Sequence, residues 1–290
     1  MMKSLVGISV ALCLLTICPR FAVAQETADG QVTPPKVLVI DREFVKPGKS
    51  GMMHDKAESA FVRAMIAAKS SNHYFAMTSM SGPSRALFFF PFDSFAAWEK
   101  VDQEREQNAT LSAALERAQV ADGDILSSYD SSAWTYNDEL SLNSSVKIAE
   151  MRYMEITAIK VRPGHRQDWT EVAKLYKQGF ANVPDMRWAI FDNMYGKEAG
   201  GVRLVITPMR SLAEVDQHQL DYKQFTAALG PDRTKKLSAL SAAGIESAET
   251  NLFRFNPKMS YAPDAWIKAD PGFWKVNEAP AKKAPAAAKQ

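Results

Sequence analysis

The chain has 290 residues, 46% of them hydrophobic, with 35 Lys and Arg against 33 Asp and Glu. A formal charge of +2 gives no electrostatic pull toward nucleic acid, and the length suits two domains of ordinary size. Both cysteines, Cys13 and Cys18, fall among the first two dozen residues, so the rest has no disulfide, thiol nucleophile or thiolate metal site.

Those first residues read as a secretory leader. Lys3 supplies the positive start, Leu5 to Ile17 the apolar stretch, Pro19 the helix break, and Ala22-Val23-Ala24 the small-x-small cleavage site before Gln25. The apolar run is shorter than the ~20 residues of a bilayer span, and Ile17 is not the small residue a lipidated Cys18 requires. The expectation is an exported protein, periplasmic or secreted, with no transmembrane segment. Lys3 and Arg20 leave with the leader (1–24), so the mature chain is charge-balanced. Residues 25–35 read as a polar linker.

Lys36 to Val45 is β-branched and apolar and ends on Lys46-Pro47-Gly48, which predicts a strand and turn. Ala57, Phe61, Met65 and Ala68 recur at helical spacing within His54 to Ala68. Tyr74 to Gly82 and Leu87 to Pro91 predict a hairpin through Ser81-Gly82-Pro83. Ser94 is an N-cap candidate for a second helix, a third helical stretch covers Leu111 to Gln119, and a last strand covers Ile125 to Tyr136.

The same series then returns about 116 residues later, with small insertions at turns. Met151 to Val161 runs into Arg162-Pro163-Gly164. Trp169, Val172, Ala173 and Tyr176 mark a helix over Asp168 to Phe180. Trp188 to Gly196 and Leu204 to Pro208 form the second hairpin, Ser211 answers Ser94, and Thr234 to Ala243 and Ile245 to Phe255 close the unit. Ordered self-similarity of this length predicts a duplicated domain, over 36–145 and 146–262, followed by an extension over 263–290. The last twelve residues contain only Ala, Lys, Pro and Gln and are expected to be a disordered, solubilising tail.

The β-α-β-β-α-β order with a Pro-Gly turn after the first strand resembles the dimeric α+β barrel superfamily. Its members include the antibiotic-biosynthesis monooxygenase-like and NIPSNAP-like domains. The resemblance covers nearly all of residues 36–257 and implies an α+β fold of two tandem ferredoxin-like units. Each would have a four-stranded antiparallel sheet with helices on one face. The open faces of the two sheets would pack together as an intrachain pseudo-dimeric barrel, leaving the chain a monomer.

Alternation along the first strand of each unit separates two faces. Leu38, Ile40 and Phe44, matched by Met154, Ile156 and Lys160, are assigned to the face under the helices. Asp41 and Glu43, with Tyr153 and Glu155, are then assigned to the space between the sheets. A carboxylate there would be desolvated, as a general base needs. Glu155 is the candidate catalytic base, because its counterpart is Val39 and the fold itself does not require a charge. In water at the strand end, or paired with Arg42 or Arg152, Asp41 and Glu43 would instead be structural. On the hairpin, Trp188, Asp192, Asn193 and Tyr195 complete the ligand-binding candidates. Trp188, Asn193 and Tyr195 look like the substrate-binding set of cofactor-free monooxygenases of similar fold, and core packing is the other reading of the aromatics.

The histidines, His54, His73, His165 and His218, stand far apart, without a second His or a His-Glu-x-x-His motif nearby. No metal site and no cofactor is expected, haem ligation by His54, His73 or His218 being the alternative. There is no Gly-x-Ser-x-Gly elbow, P-loop or dinucleotide fingerprint. Three functions stay open: binding of a small, partly apolar molecule between the sheets, a cofactor-independent monooxygenase or isomerase, and a structural protein with a filled barrel. The volume and lining of the inter-sheet space separate them.

Overall fold

The computed structural model describes residues 30–197 and 200–276; the leader with its cleavage site and the Ala/Lys/Pro tail lie outside them. The first half runs β1 (Val37–Val45), α1 (Met52–Ala68), β2 (Phe75–Ser79), β3 (Arg85–Phe92), α2 (Phe95–Gln107), α3 (Ala109–Gly123) and β4 (Leu126–Leu142). The second runs β5 (Tyr153–Val161), α4 (Arg166–Phe180), β6 (Trp188–Tyr195), β7 (Val202–Met209), α5 (Ala213–Gly244) and β8 (Ile245–Phe255). Two short helices follow, α6 (Asp264–Ala269) and α7 (Pro271–Trp274).

Local chemistry accounts for the boundaries. The Pro-Gly turns after β1 and β5 need a left-handed residue, and Gly48 and Gly164 take φ of 78° and 86°. Ser94 caps α2 by accepting from the Ala97 amide at 3.1 Å. Its counterpart Ser211 does not cap α5. There Glu214 Oε1 accepts from the Arg210 amide at 2.9 Å, while its other oxygen receives Arg187. A first-turn carboxylate that also meets a guanidinium outcompetes a hydroxyl. α5 breaks at Gly230 (φ 75°, ψ 165°) before Pro231, so the stretch expected over Thr234 to Ala243 is its second segment.

All eight strands pair antiparallel into one closed barrel, in the order β1-β3-β2-β8-β5-β7-β6-β4. Each half supplies four adjacent strands, and the halves meet where β2 pairs with β8 and β4 with β6. The largest buried cluster includes Leu38, Met77, Leu87, Trp134, Met154, Phe191, Leu204 and Phe253, one from every strand, and no residue of α1 to α5. It therefore fills the lumen.

This reverses the face assignment made from alternation. Leu38, Ile40, Met154 and Ile156 point into the lumen. Val37 and Val39 pack outward with Phe92 and α2's Trp98, and Ile159 packs outward under α4 and α5. Both faces of these strands are covered, so alternation carries no polar-against-apolar contrast by which to choose the inner one. Asp41 and Glu43 consequently lie in the layer between sheet and helices.

The C-terminal segment seals one end of the barrel. Trp274 joins the lumen cluster, donates its indole N–H to the Ala149 carbonyl at 2.8 Å, and is packed by Trp266 and Phe273. Arg152 pairs with Asp270 and covers the Phe273 ring at 4.0 Å. Among the described residues no helix is long and apolar enough to cross a membrane. Trp274→Ala is expected to cost about 3–5 kcal/mol in urea unfolding, the range for emptying a buried aromatic site. A cost under about 1 kcal/mol, typical of a surface substitution, would show that the lumen is closed without it.

Candidate functional site

With the lumen filled, the large cavity lies elsewhere. It occupies about 1150 Å³ between the first-half sheet and helices α1, α2 and α3. Its apolar wall is built from Phe88, Phe90 and Phe92 of β3, Phe61 and Met65 of α1, Trp98 of α2, and Leu111 and Leu115 of α3. Tyr74, Tyr129, Ser131 and the carboxylates of Asp41, Glu43, Glu58 and Asp122 give it a polar side. An apolar cleft with a few convergent polar groups is the usual form of a small-molecule site.

That polar side holds an unusual group. Glu43 comes from β1, His54 and Glu58 from the buried face of α1, and Asp122 from the last turn of α3. All four are buried. His54 Nε2 is hydrogen-bonded to Glu43 Oε2 at 2.8 Å and lies 3.8 Å from Asp122 Oδ1. One ligand atom from each of the four lies within 4.8 Å of the others, so the set could hold a metal ion. Burial raises the Glu43 carboxyl above its ordinary value, against the hydrogen bond from His54. It raises Glu58 well above, with the like charges of Glu43 and Asp122 adding to it. Asp122 is raised by burial as well, and a helix C-terminus is the less favourable end for a carboxylate. Nearer the open cavity, burial raises Asp41, while hydrogen bonds from Ser131 and Tyr129 pull it down.

Comparison with known proteins agrees with the barrel. An anthrone oxidase-like protein matches at a TM-score of 0.50 and 14% identity, over 81% of this chain and 95% of that one. A proposed monooxygenase of Fusobacterium nucleatum matches at 0.49 and 9%, over 76% and 91%. A variant chlorite dismutase of Candidatus Nitrospira defluvii matches at 0.46 and 9%, over 81% and 96%. The likeness to the anthrone oxidase-like protein is one of fold, an α+β barrel of antiparallel strands. At these identities the likeness concerns the fold alone. No protein-family model and no curated protein matches the chain.

Among the described residues, the corresponding layer of the second half is packed with large aromatic and aliphatic side chains. Phe225 is fully buried there, stacked on Phe180 at 4.5 Å and on Tyr176 at 5.3 Å. Gly179 admits it, since a Cβ at that position would stand 2.3 Å from the Phe225 ring. Where the first half places Glu43, the second has Ile159 at the same distance before its Pro-Gly turn. Where α1 buries His54 and Glu58, α4 buries Trp169 and Ala173, likewise four apart. The fold is thus satisfied by apolar residues at these places.

Of the residues singled out from sequence, only Asp41 and Glu43 line the cavity. Trp188 is core in the second half, its indole N–H donated to the Leu140 carbonyl at 3.0 Å. Asp192 pairs with Arg203 at 2.6 Å. Asn193 is buried with both side-chain polar atoms unpartnered, and Tyr195 is exposed, edge-on to Phe95 at 5.9 Å. Tyr153 and Glu155 are half-buried on β5, Glu155 opposite Thr207 and Leu252. Arg187 goes to Glu214 rather than to Glu155. From the sequence His54 stands only as a haem-ligand alternative and Glu58 not at all, although their spacing of four puts both on one face of a helix. The remaining partners, Glu43 and Asp122, come from other elements.

Burial raises Glu43, Glu58 and Asp122 above the ordinary 4.5 for Glu and 3.8 for Asp, so between those values and the raised ones the folded chain binds more protons than the unfolded chain. In that window the native state binds more protons, so stability falls as pH rises. In a chelator-treated chain, Glu58→Gln should remove part of this fall. It should raise unfolding stability at pH 7, and the two chains should converge below about pH 4, where both carry no charge at this position. Parallel pH profiles would show that Glu58 ionises without penalty.

Proposed function

We propose that this chain binds a small, partly apolar, aromatic molecule in the first-half cavity, between sheet and helices rather than between the two sheets. The asymmetry of the halves carries the reading: one sheet–helix layer is packed with Phe225, Phe180 and Trp188, and the other leaves about 1150 Å³ edged with carboxylates. Aromatic rings on β3 offer stacking surfaces, and the polar side orients whatever polar group the ligand carries. In this reading the halves are duplicated ferredoxin-like units, one kept as scaffold and one as binding unit. Export through the leader would place that binding in the periplasm or outside the cell.

A second reading makes the site enzymatic, as a cofactor-independent oxygenase or isomerase. Asp41 favours it. It stands on the cavity wall with Tyr129 and Ser131 as hydrogen-bond partners. It could take a proton from an acidic C–H or O–H of the ligand, leaving an anion to be reprotonated elsewhere or to react with dioxygen. This displaces Glu155, which does not line the cavity, from the role of base.

Fluorescence titration with the neutral probe N-phenyl-1-naphthylamine tests the binding site. Leu115→Trp fills the cavity and is expected to weaken the probe at least about tenfold, equivalent to about 1.4 kcal/mol. Trp188→Phe, in the packed half, should leave it unchanged. The reverse pattern, or no effect of Leu115→Trp, would remove the cavity as the binding site.

A further inference from the structure

We propose that Glu43, His54, Glu58 and Asp122 form a binding site for one divalent first-row transition-metal ion at the polar wall of the cavity. The spacing comes first. Two ligands of one ion are at most twice the metal–ligand bond apart. Bonds of about 2.0–2.4 Å to nitrogen and carboxylate oxygen therefore require all donor atoms within about 4–4.8 Å of one another. The four donor atoms all lie within 4.8 Å of one another, the outer end of that range, so bonds of about 2.0–2.2 Å would draw the side chains slightly inward.

The second observation is independent of that spacing. With both groups ionised, Glu58 Oε1 and Asp122 Oδ1 are shut off from solvent and no donor reaches them, on residues that are only 3% and 2% exposed. Buried carboxylate oxygens are costly unless paired. His54 Nε2 faces carboxylate oxygens of both Glu43 and Asp122, and Glu58 faces the like charges of Glu43 and Asp122, hydrogen-bonding Asp122 only when one of the two carries a proton. Two carboxylates alone could share a proton. Three carboxylates and an imidazole directed at one point instead match the donors of a cation that accepts oxygen and nitrogen together. The apolar residues of the second half, Ile159, Trp169 and Ala173, show that the barrel does not need this group for packing.

The donor types select the ion. An imidazole among carboxylates suits Mn²⁺, Fe²⁺ or Zn²⁺, whereas Ca²⁺ and Mg²⁺ favour oxygen donors throughout. Glu43, Glu58 and Asp122 line the cavity, and His54 stands behind them. Four protein donors leave room in a five- or six-coordinate shell, on the side open to the cavity. A hydroxyl, carbonyl or carboxylate oxygen of a bound aromatic molecule would bind there; this last point rests on the ligand reading above, the ion site does not.

The full-length chain, stripped with chelator, is titrated separately with Mn²⁺ and Zn²⁺ by calorimetry, with the Mn²⁺ spectrum followed by electron paramagnetic resonance and no organic ligand present. The expected result is one ion per chain, a rise in melting temperature on binding, and weaker or no uptake of Mg²⁺ and Ca²⁺. Glu58→Gln and Asp122→Asn keep shape and remove charge. Each should lower affinity by at least the roughly 10–100-fold that even an outer-shell partner is worth, while the metal-free variants stay folded and no less stable than the parent. Asp168→Asn, which breaks the His165–Asp168 pair of the other half, should bind as the parent does. The proposal is overturned by absence of stoichiometric uptake, or by uptake that both variants retain. It is equally overturned by variants that gain stability from a parent indifferent to every ion, since the cluster would then hold protons. Loss of probe binding with ion binding intact would count against the ligand reading alone.

Discussion

Phe89, Met77, Phe253 and Phe255 meet, almost wholly shielded from solvent, in the lumen of the barrel, and much else follows from that contact. A closed antiparallel barrel has no free edges, so the strands are held by pairing on both sides and by packing on both faces. Filling the lumen from all eight strands leaves no room between the sheets. The cavity of about 1150 Å³ lies instead in an outer layer, where helices cover the strands. Trp274 closes one end over the same cluster, which ties the C-terminal helices to the barrel's interior.

The two outer layers solve the same packing problem differently. In the second half, large aromatic side chains occupy the layer, and Gly179 yields its side-chain volume to Phe225. The first half does not complete its packing. Its helices stand over β3's phenylalanines with a cavity between, and four ionisable groups are drawn in at one side. Unfilled volume and buried like charges both lower stability. A fold that shows in its other half how to avoid both has reason to tolerate them only where they serve binding or chemistry.

Within that wall, distance from solvent grades the groups. Asp41, with Tyr129 and Ser131 beside it, sits where a ligand proton would be within reach. Glu43 and Asp122 are raised by burial, and Glu58 well above its ordinary value by burial and the charges of the other two, with His54 bonded to Glu43. Such a group needs a cation or protons, and one barrel wall can thus carry an aromatic surface, a proton acceptor and a cation-binding cluster side by side.

Element order and most helix and strand boundaries follow from local chemistry, which is why they could be read along the chain. Pro-Gly turns, the Ser94 cap and helical spacing in α1 and α4 depend on residues a few positions apart. The inner face of each strand depends on what lies beyond it, and with apolar layers on both sides Val39 and Ile40 look alike in sequence. Trp188 and Phe88 are likewise both aromatic strand residues, yet one is core and one lines the cavity, because only helix packing distinguishes their layers. His54 and Glu58 share a helix face that spacing can reveal. Their meeting with Glu43 and Asp122 arises from the way α1 and α3 lie across β1, a contact between distant segments that tertiary structure alone decides.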